Sequence, residues 1–71
     1  MRAPLARRLG ALIRERREAA HLSQAELGAR LDVRQQTVAR WEAGWAYPTL
    51  PTLLELSTVL GFSLDELRGA R

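Results

Sequence analysis

The stretch LSQAELGARLDVRQQTVARWEAG, residues 22–44, decides the fold. Leu27 and Leu31 are four residues apart, and Val38 and Trp41 three apart, so each pair shares one face of a helix. Ser23 followed by Glu26 is a capping box: the serine oxygen accepts from the first-turn amides while the glutamate reaches back to the serine amide. The first helix of the pair therefore starts after Ser23 and runs to about Leu31. Asp32 ends it where a left-handed residue is expected, a conformation Asp tolerates better than most. Gly28 sits mid-helix, which costs roughly 1 kcal/mol against alanine; the expected return is close approach of another helix. The second helix covers about residues 34–43, and Gly44 closes it as a C-cap.

Outward from this pair, Leu5, Leu9, Leu12, Ile13 and Ala20 form a helical stripe with arginines on the other faces, predicting a helix over about 5–20 behind a flexible arm, residues 1–4. On the other side, residues 44–48 form a loop holding Trp45 and Tyr47. Thr49 caps a fourth helix, with Pro51 in its first turn, where a missing amide does no harm. Leu53, Leu54, Leu56, Val59 and Leu60 supply its apolar side, and Gly61 ends it. Ser63-Leu64-Asp65-Glu66 is a second capping box that opens a short fifth helix with Leu67 inward. There is no strand pattern, repeat or low-complexity segment. The expectation is an all-α, compact five-helix bundle, with one domain over residues 5–71.

Composition narrows the function classes. A 71-residue chain buries only about 60% of its unfolded surface, so a partner adds usefully to stability. There are no cysteines, which excludes disulfides and thiolate metal sites and fits a reducing cytoplasm. The single histidine, His21, is too few for a histidine-based metal or catalytic cluster; it reads as an ordinary surface residue. No apolar run approaches a membrane span and no signal-peptide pattern opens the chain. No nucleophile–base set or glycine-rich phosphate loop is visible, so an enzyme is not expected and neither a cofactor nor a metal is implied. Asp65 and Glu66 complement the dipole of the helix they open. The formal net charge is +3, and all eleven basic residues are arginines. Residues 1–20 carry +4, residues 21–48 are neutral and residues 49–71 carry −1. The positive excess thus gathers at the N-terminus, a candidate footprint on an acidic partner.

The second helix of the pair places Gln35, Gln36 and Arg40 on its outward side. A glutamine can make two hydrogen bonds to an adenine edge and an arginine two to a guanine edge. The same three residues alone fit a solvated polar face equally well. Trp41, three residues after Val38, belongs to the core. Three positions are open to Trp45: packed over the end of the second helix, against a nucleic-acid backbone, or in a dimer interface. Arg2, Arg7 and Arg8 either follow phosphates, or enter a minor groove, or are simply solvated.

Taken together, LSQAEL, QQTVARWEAG and LGFSLDEL resemble the Cro/phage-repressor (XRE-type) helix-turn-helix family, over nearly everything from Leu9 to Leu67. The resemblance implies a lambda-repressor-like bundle with the helix-turn-helix in its second and third helices. It implies that Gln35, Gln36 and Arg40 read bases, and that Gln24, Arg34, Thr37 and Trp45 meet the phosphate backbone, Gln24 through the positive end of its helix. Arg17 and Glu42 resemble a pair that ties the first helix to the end of the third. Three departures stand out. Asp32 replaces the usual turn glycine, which suggests local strain or a modified turn. Arg34 stands where Ser or Thr often caps the third helix. The loop Trp45-Ala46-Tyr47 lacks the Lys or Arg common there.

The implied function is sequence-specific binding of double-stranded DNA by a transcriptional regulator, as a homodimeric cytoplasmic repressor on a two-fold operator. An antitoxin or controller type that represses its own operon is a related reading, with a protein partner as one means of regulation, since a chain of this length has no room for a sensing domain. From a different class, the bundle could serve as a protein-interaction module anchored on Trp45 and Tyr47.

Overall fold

The computed structural model describes residues 2–68 and is helical throughout, with no strand among them. Its elements are α1 (Pro4–Ala19), α2 (Gln24–Leu31), α3 (Gln35–Glu42), α4 (Leu50–Leu60) and α5 (Asp65–Arg68). The expected order and number of helices hold. The arm is one residue shorter than expected, because Pro4 opens α1, its fixed φ and missing amide both suited to a first helical position.

The core is one cluster to which each of the four long helices contributes: Leu9 and Ile13, Leu27 and Leu31, Val38 and Trp41, Leu56 and Leu60, with Phe62 beyond α4. α3 packs against both α1 and α2, while α4 packs on α1 and α2, and α5 on α1. Two expectations for the apolar stripes change. Leu5 is exposed on α1, and Ala6 takes the inward position instead, while Ala20 lies exposed just past the end of the helix. On α4, Leu54 and Val59 face solvent together with Leu50. That helix has a single charged residue, Glu55, so its pattern alone does not mark which arc is covered.

The capping box of α2 is complete: the Glu26 amide donates to Ser23 Oγ at 3.0 Å, and the Ser23 amide to Glu26 Oε1 at 2.7 Å. This second bond is the main reason the Glu26 carboxyl is held below the usual carboxylate range. At the start of α5, Glu66 likewise accepts from the Ser63 amide, whereas Ser63 Oγ meets the Asp65 amide.

All four long helices end alike. His21, Asp32, Gly44 and Gly61 adopt positive φ of 59°, 58°, 79° and 71°. The amide of each following residue then reaches back five positions: Leu22 to Arg17 O, Val33 to Gly28 O, Trp45 to Arg40 O and Phe62 to Ser57 O. This bond closes orphan carbonyls, and an apolar residue usually accompanies it. Leu22, Val33 and Phe62 pack on the core accordingly; Trp45 does not. Asp32 (φ 58°, ψ 42°) occupies the standard left-handed well, so the turn keeps the geometry a glycine would give it.

The glycines divide differently from the expectation. A Cβ on Gly28 would lie 2.7 Å from Val33 O, so what approaches Gly28 is the turn that follows its own helix, not another helix. The close helix–helix approach is at Gly10, where a Cβ would lie 2.7 Å from Glu42 O and closer still to Trp41 O. α1 therefore touches the last turn of α3 backbone to backbone.

Two substitutions should move stability in opposite directions. Gly10→Ala forces α1 and α3 apart and should lower it by about 2 kcal/mol. His21→Gly relieves a left-handed side-chain residue and should raise it by about 0.5–1 kcal/mol. Thermal unfolding followed by far-UV circular dichroism reads both, at several degrees per kcal/mol for a domain this small.

Candidate nucleic-acid interface

An eight-residue helix is too short to persist alone in water, so the direction of α3 is set by what holds it. The chief tie is polar. Arg17 donates through Nε to Glu42 Oε2 at 2.6 Å and through Nη2 to Glu42 Oε1 at 3.1 Å, a two-pronged pair. Its Nη1 donates to the Leu22 carbonyl at 2.8 Å. The side chains are only 11% and 5% exposed, so the pair sits largely out of water. The hydrogen bonds to Glu42 outweigh burial and raise the Arg17 pKa above its ordinary value.

Gln24 is drawn into the same network, its Nε2 donating to Glu42 Oε1 at 3.0 Å. Its side chain thus faces the body of the domain, and the route to a phosphate that it retains unaltered is its backbone amide in the first turn of α2.

On the far side of α3 the side chains are uncommitted. Gln35, Gln36, Arg34 and Arg40 are exposed, and Thr37 is half-buried. Neither Arg34 nor Arg40 meets an acid among the described residues. Gln36 and Arg40 are one turn apart on the same face. Arg34 is the N-cap residue of α3 and makes no side-chain capping bond, as its chemistry predicts, which leaves the positive end of α3 open.

Folding sorts the charge in a way the linear tally does not show. Arg14 pairs with Glu18, Arg16 with Glu66, Arg17 with Glu42 and Arg68 with Asp65. Arg16 also donates to the Gly61 carbonyl at 3.1 Å, fastening α1 to the end of α4. Among the described residues, the arginines left without an acid are Arg2, Arg7, Arg8, Arg30, Arg34 and Arg40, and four of these stand around α3. Arg34 and Arg40 belong to it, while Arg2 and Arg7 lie against Gly44, just beyond its end. Trp45 is 60% exposed, with the Arg2 guanidinium 4.9 Å from its ring centroid. The sequence placed excess charge at the N-terminus; it did not show that part of that charge folds onto the end of α3.

A profile of a helix-turn-helix family matches residues 13–67. The chain belongs to this family, the XRE type of helix-turn-helix, a class of DNA-binding transcriptional regulators. Among solved structures, the restriction-modification controller protein C.AhdI from Aeromonas hydrophila is 31% identical, with a TM-score of 0.76. The match covers 87% of this chain and 90% of that one. FeII HppE in complex with substrate is 33% identical, with a TM-score of 0.78, but this chain spans only 36% of its length. Apo-HppE is similar over 34% of its chain, with a TM-score of 0.76. No curated protein gives a match. Among the described residues, no helix is long and apolar enough to cross a membrane.

Because the Arg17–Glu42 pair is mostly desolvated, removing one partner strands the other. Glu42→Gln should lower stability by about 3 kcal/mol. The double variant Arg17→Met/Glu42→Leu should recover a large part of that loss. Urea unfolding of the three proteins measures both, and equal losses in the single and double variants would show that packing, not charge pairing, holds the site.

Proposed function

We propose that this chain is a sequence-specific repressor that acts as a homodimer on a two-fold symmetric operator in the cytoplasm, and that it is a binding protein rather than an enzyme. α3 enters the major groove. Gln35, Gln36 and Arg40 read base edges there, each good two-pronged contact discriminating by about 1–3 kcal/mol. Arg34, Thr37 and the amide end of α2 at Gln24 hold phosphates and so fix the register, without carrying sequence information themselves. Half-site centres lie about 10–10.5 base pairs apart or a multiple of that.

The observation that carries this reading is the contrast across α3. One side is locked to α1 by a largely desolvated ion pair and a glycine contact; the other presents exposed donors and acceptors that bond to no other side chain among the described residues. A reading element needs both properties, since a mobile helix would average its contacts away. The uncovered apolar residues Leu50, Leu54 and Val59 on α4 support self-association, as such surfaces tend to be covered by a partner. The similarity to a controller protein over nearly its whole length favours a particular version, in which the chain represses its own operon.

Fluorescence anisotropy with DNA from upstream of the gene, against scrambled DNA at two salt concentrations, tests the proposal. A preference of about a thousandfold or more at the higher salt is expected. Gln36→Ala should relax the preference at one position of the operator and leave the others unchanged; a profile identical to that of the unmodified chain would remove Gln36 from the reading set.

A further inference from the structure

We infer that Arg2 is a phosphate ligand of the bound duplex, carried to the end of the recognition helix α3 by the Trp45 ring and the Ala43 carbonyl. This deepens the DNA-binding reading above and rests on it. The loop 44–48 that follows α3 contains no charged side chain of its own. Arg2 supplies one from the opposite end of the chain. Its Nη1 donates to Ala43 O at 2.6 Å, and its guanidinium lies 4.9 Å from the Trp45 ring centroid. The arginine stem is settled as well: a Cβ on Gly44 would meet Arg2 Cδ at 3.3 Å and Arg7 Cγ at 3.2 Å, so both stems lie over the glycine.

The manner of anchoring decides what the group can do. Arg14, Arg16, Arg17 and Arg68 are each held by a carboxylate, which cancels their charge. Arg2 is held by a carbonyl at the negative end of a helix and by the face of an aromatic ring. Both attract the cation and neither neutralises it. A guanidinium has five N–H donors, and Ala43 takes one. The rest of the group is oriented, charged and available.

Position supplies the ligand. Eight helical residues span about 12 Å, close to the roughly 12 Å width of the major groove. A helix of that length seated in the groove brings each of its ends near a phosphate wall. Arg34 stands at one end of α3 and Arg2 at the other. Trp45 thereby serves as the platform of the phosphate ligand instead of the ligand itself. It also has a reason to stay exposed where Leu22, Val33 and Phe62, its counterparts after the other helices, turn inward.

The test is the salt dependence of binding to a mixed-sequence duplex, compared among the unmodified chain, Arg2→Ala, Trp45→Ala and the double variant. Each phosphate contact contributes about 0.9 to the slope of log affinity against log salt. Arg2→Ala should therefore lower the slope by about 0.9 per bound chain, so that raising salt from 50 to 200 mM weakens the variant about threefold less per bound chain than the unmodified protein, or about twelvefold less where two chains bind. The loss at low salt should be the same on upstream and scrambled DNA, because phosphates carry no sequence. Trp45→Ala should lower the slope equally, and the double variant no further. An unchanged slope in Arg2→Ala, with the unmodified chain binding in a salt-sensitive way, overturns the ligand and leaves DNA binding intact. An unchanged slope in Trp45→Ala alone overturns the platform. Binding of the unmodified chain that is absent or insensitive to salt removes the DNA-binding reading, and this proposal with it.

Discussion

The ion pair between Arg17 and Glu42 is the interaction on which the geometry of this domain depends. It joins the longest helix, α1, to the last residue of α3, and it does so mostly out of water. The same arginine holds the Leu22 carbonyl, at the end of α1, and the same carboxylate receives Gln24, at the start of α2. Three helices are thus referred to one pair of side chains. Buried pairs of this kind contribute little net stability against a well-packed apolar alternative. What this one contributes is position: a charge pair with two parallel hydrogen bonds tolerates one orientation, where an apolar contact tolerates several. Gly10 adds the steric half of the constraint, allowing the backbone of α1 to touch the carbonyls of Trp41 and Glu42.

The arginine-rich composition acquires meaning only after folding. Four arginines are paired with carboxylates, and two of those pairs, Arg16–Glu66 and Arg17–Glu42, tie one helix to another. The remainder are unequally distributed, and the ones around α3 occupy both ends of that helix. A net charge of +3 would by itself give a weak field. A duplex approaching α3 meets a concentration of positive charge well above that average, because the neutralised arginines are elsewhere.

The local features were legible in the sequence. The Ser23–Glu26 box, the left-handed Asp32, the absent cap at Arg34 and the inward Val38 and Trp41 are all decided within a turn or two of chain, and the structure has each of them. The Arg17–Glu42 link came from family resemblance, since 25 residues separate the partners. What the sequence did not yield is nonlocal or symmetric. Gly10 carries no signal of the helix end that will press on it, and Gly28 signals closeness without saying to what. The arc of α4 covered by its neighbours is undetermined when apolar residues occur on every side of it, so the pattern that places Leu54 and Val59 inward does not show that they lie outward. For Gln24 the family resemblance implies a phosphate contact through the positive end of α2, and it does not reveal that the side chain donates to Glu42, a carboxylate that only tertiary structure brings near. Arg2 and Trp45 meet across most of the chain, and no periodicity connects them.

The two tryptophans give the domain a further property. Trp41 is 4% exposed and Trp45 is 60% exposed, on either side of the residue that closes α3. Their indoles inhabit opposite solvents four positions apart in the chain, one within the hydrocarbon interior and one against water and a guanidinium. Intrinsic ultraviolet emission is therefore expected to combine a bluer component that follows the integrity of the interior with a redder one that follows the seating of the N-terminal arm. The molecule contains its own pair of optical probes at the C-terminal end of α3, one turned to the core and one to the N-terminal arm.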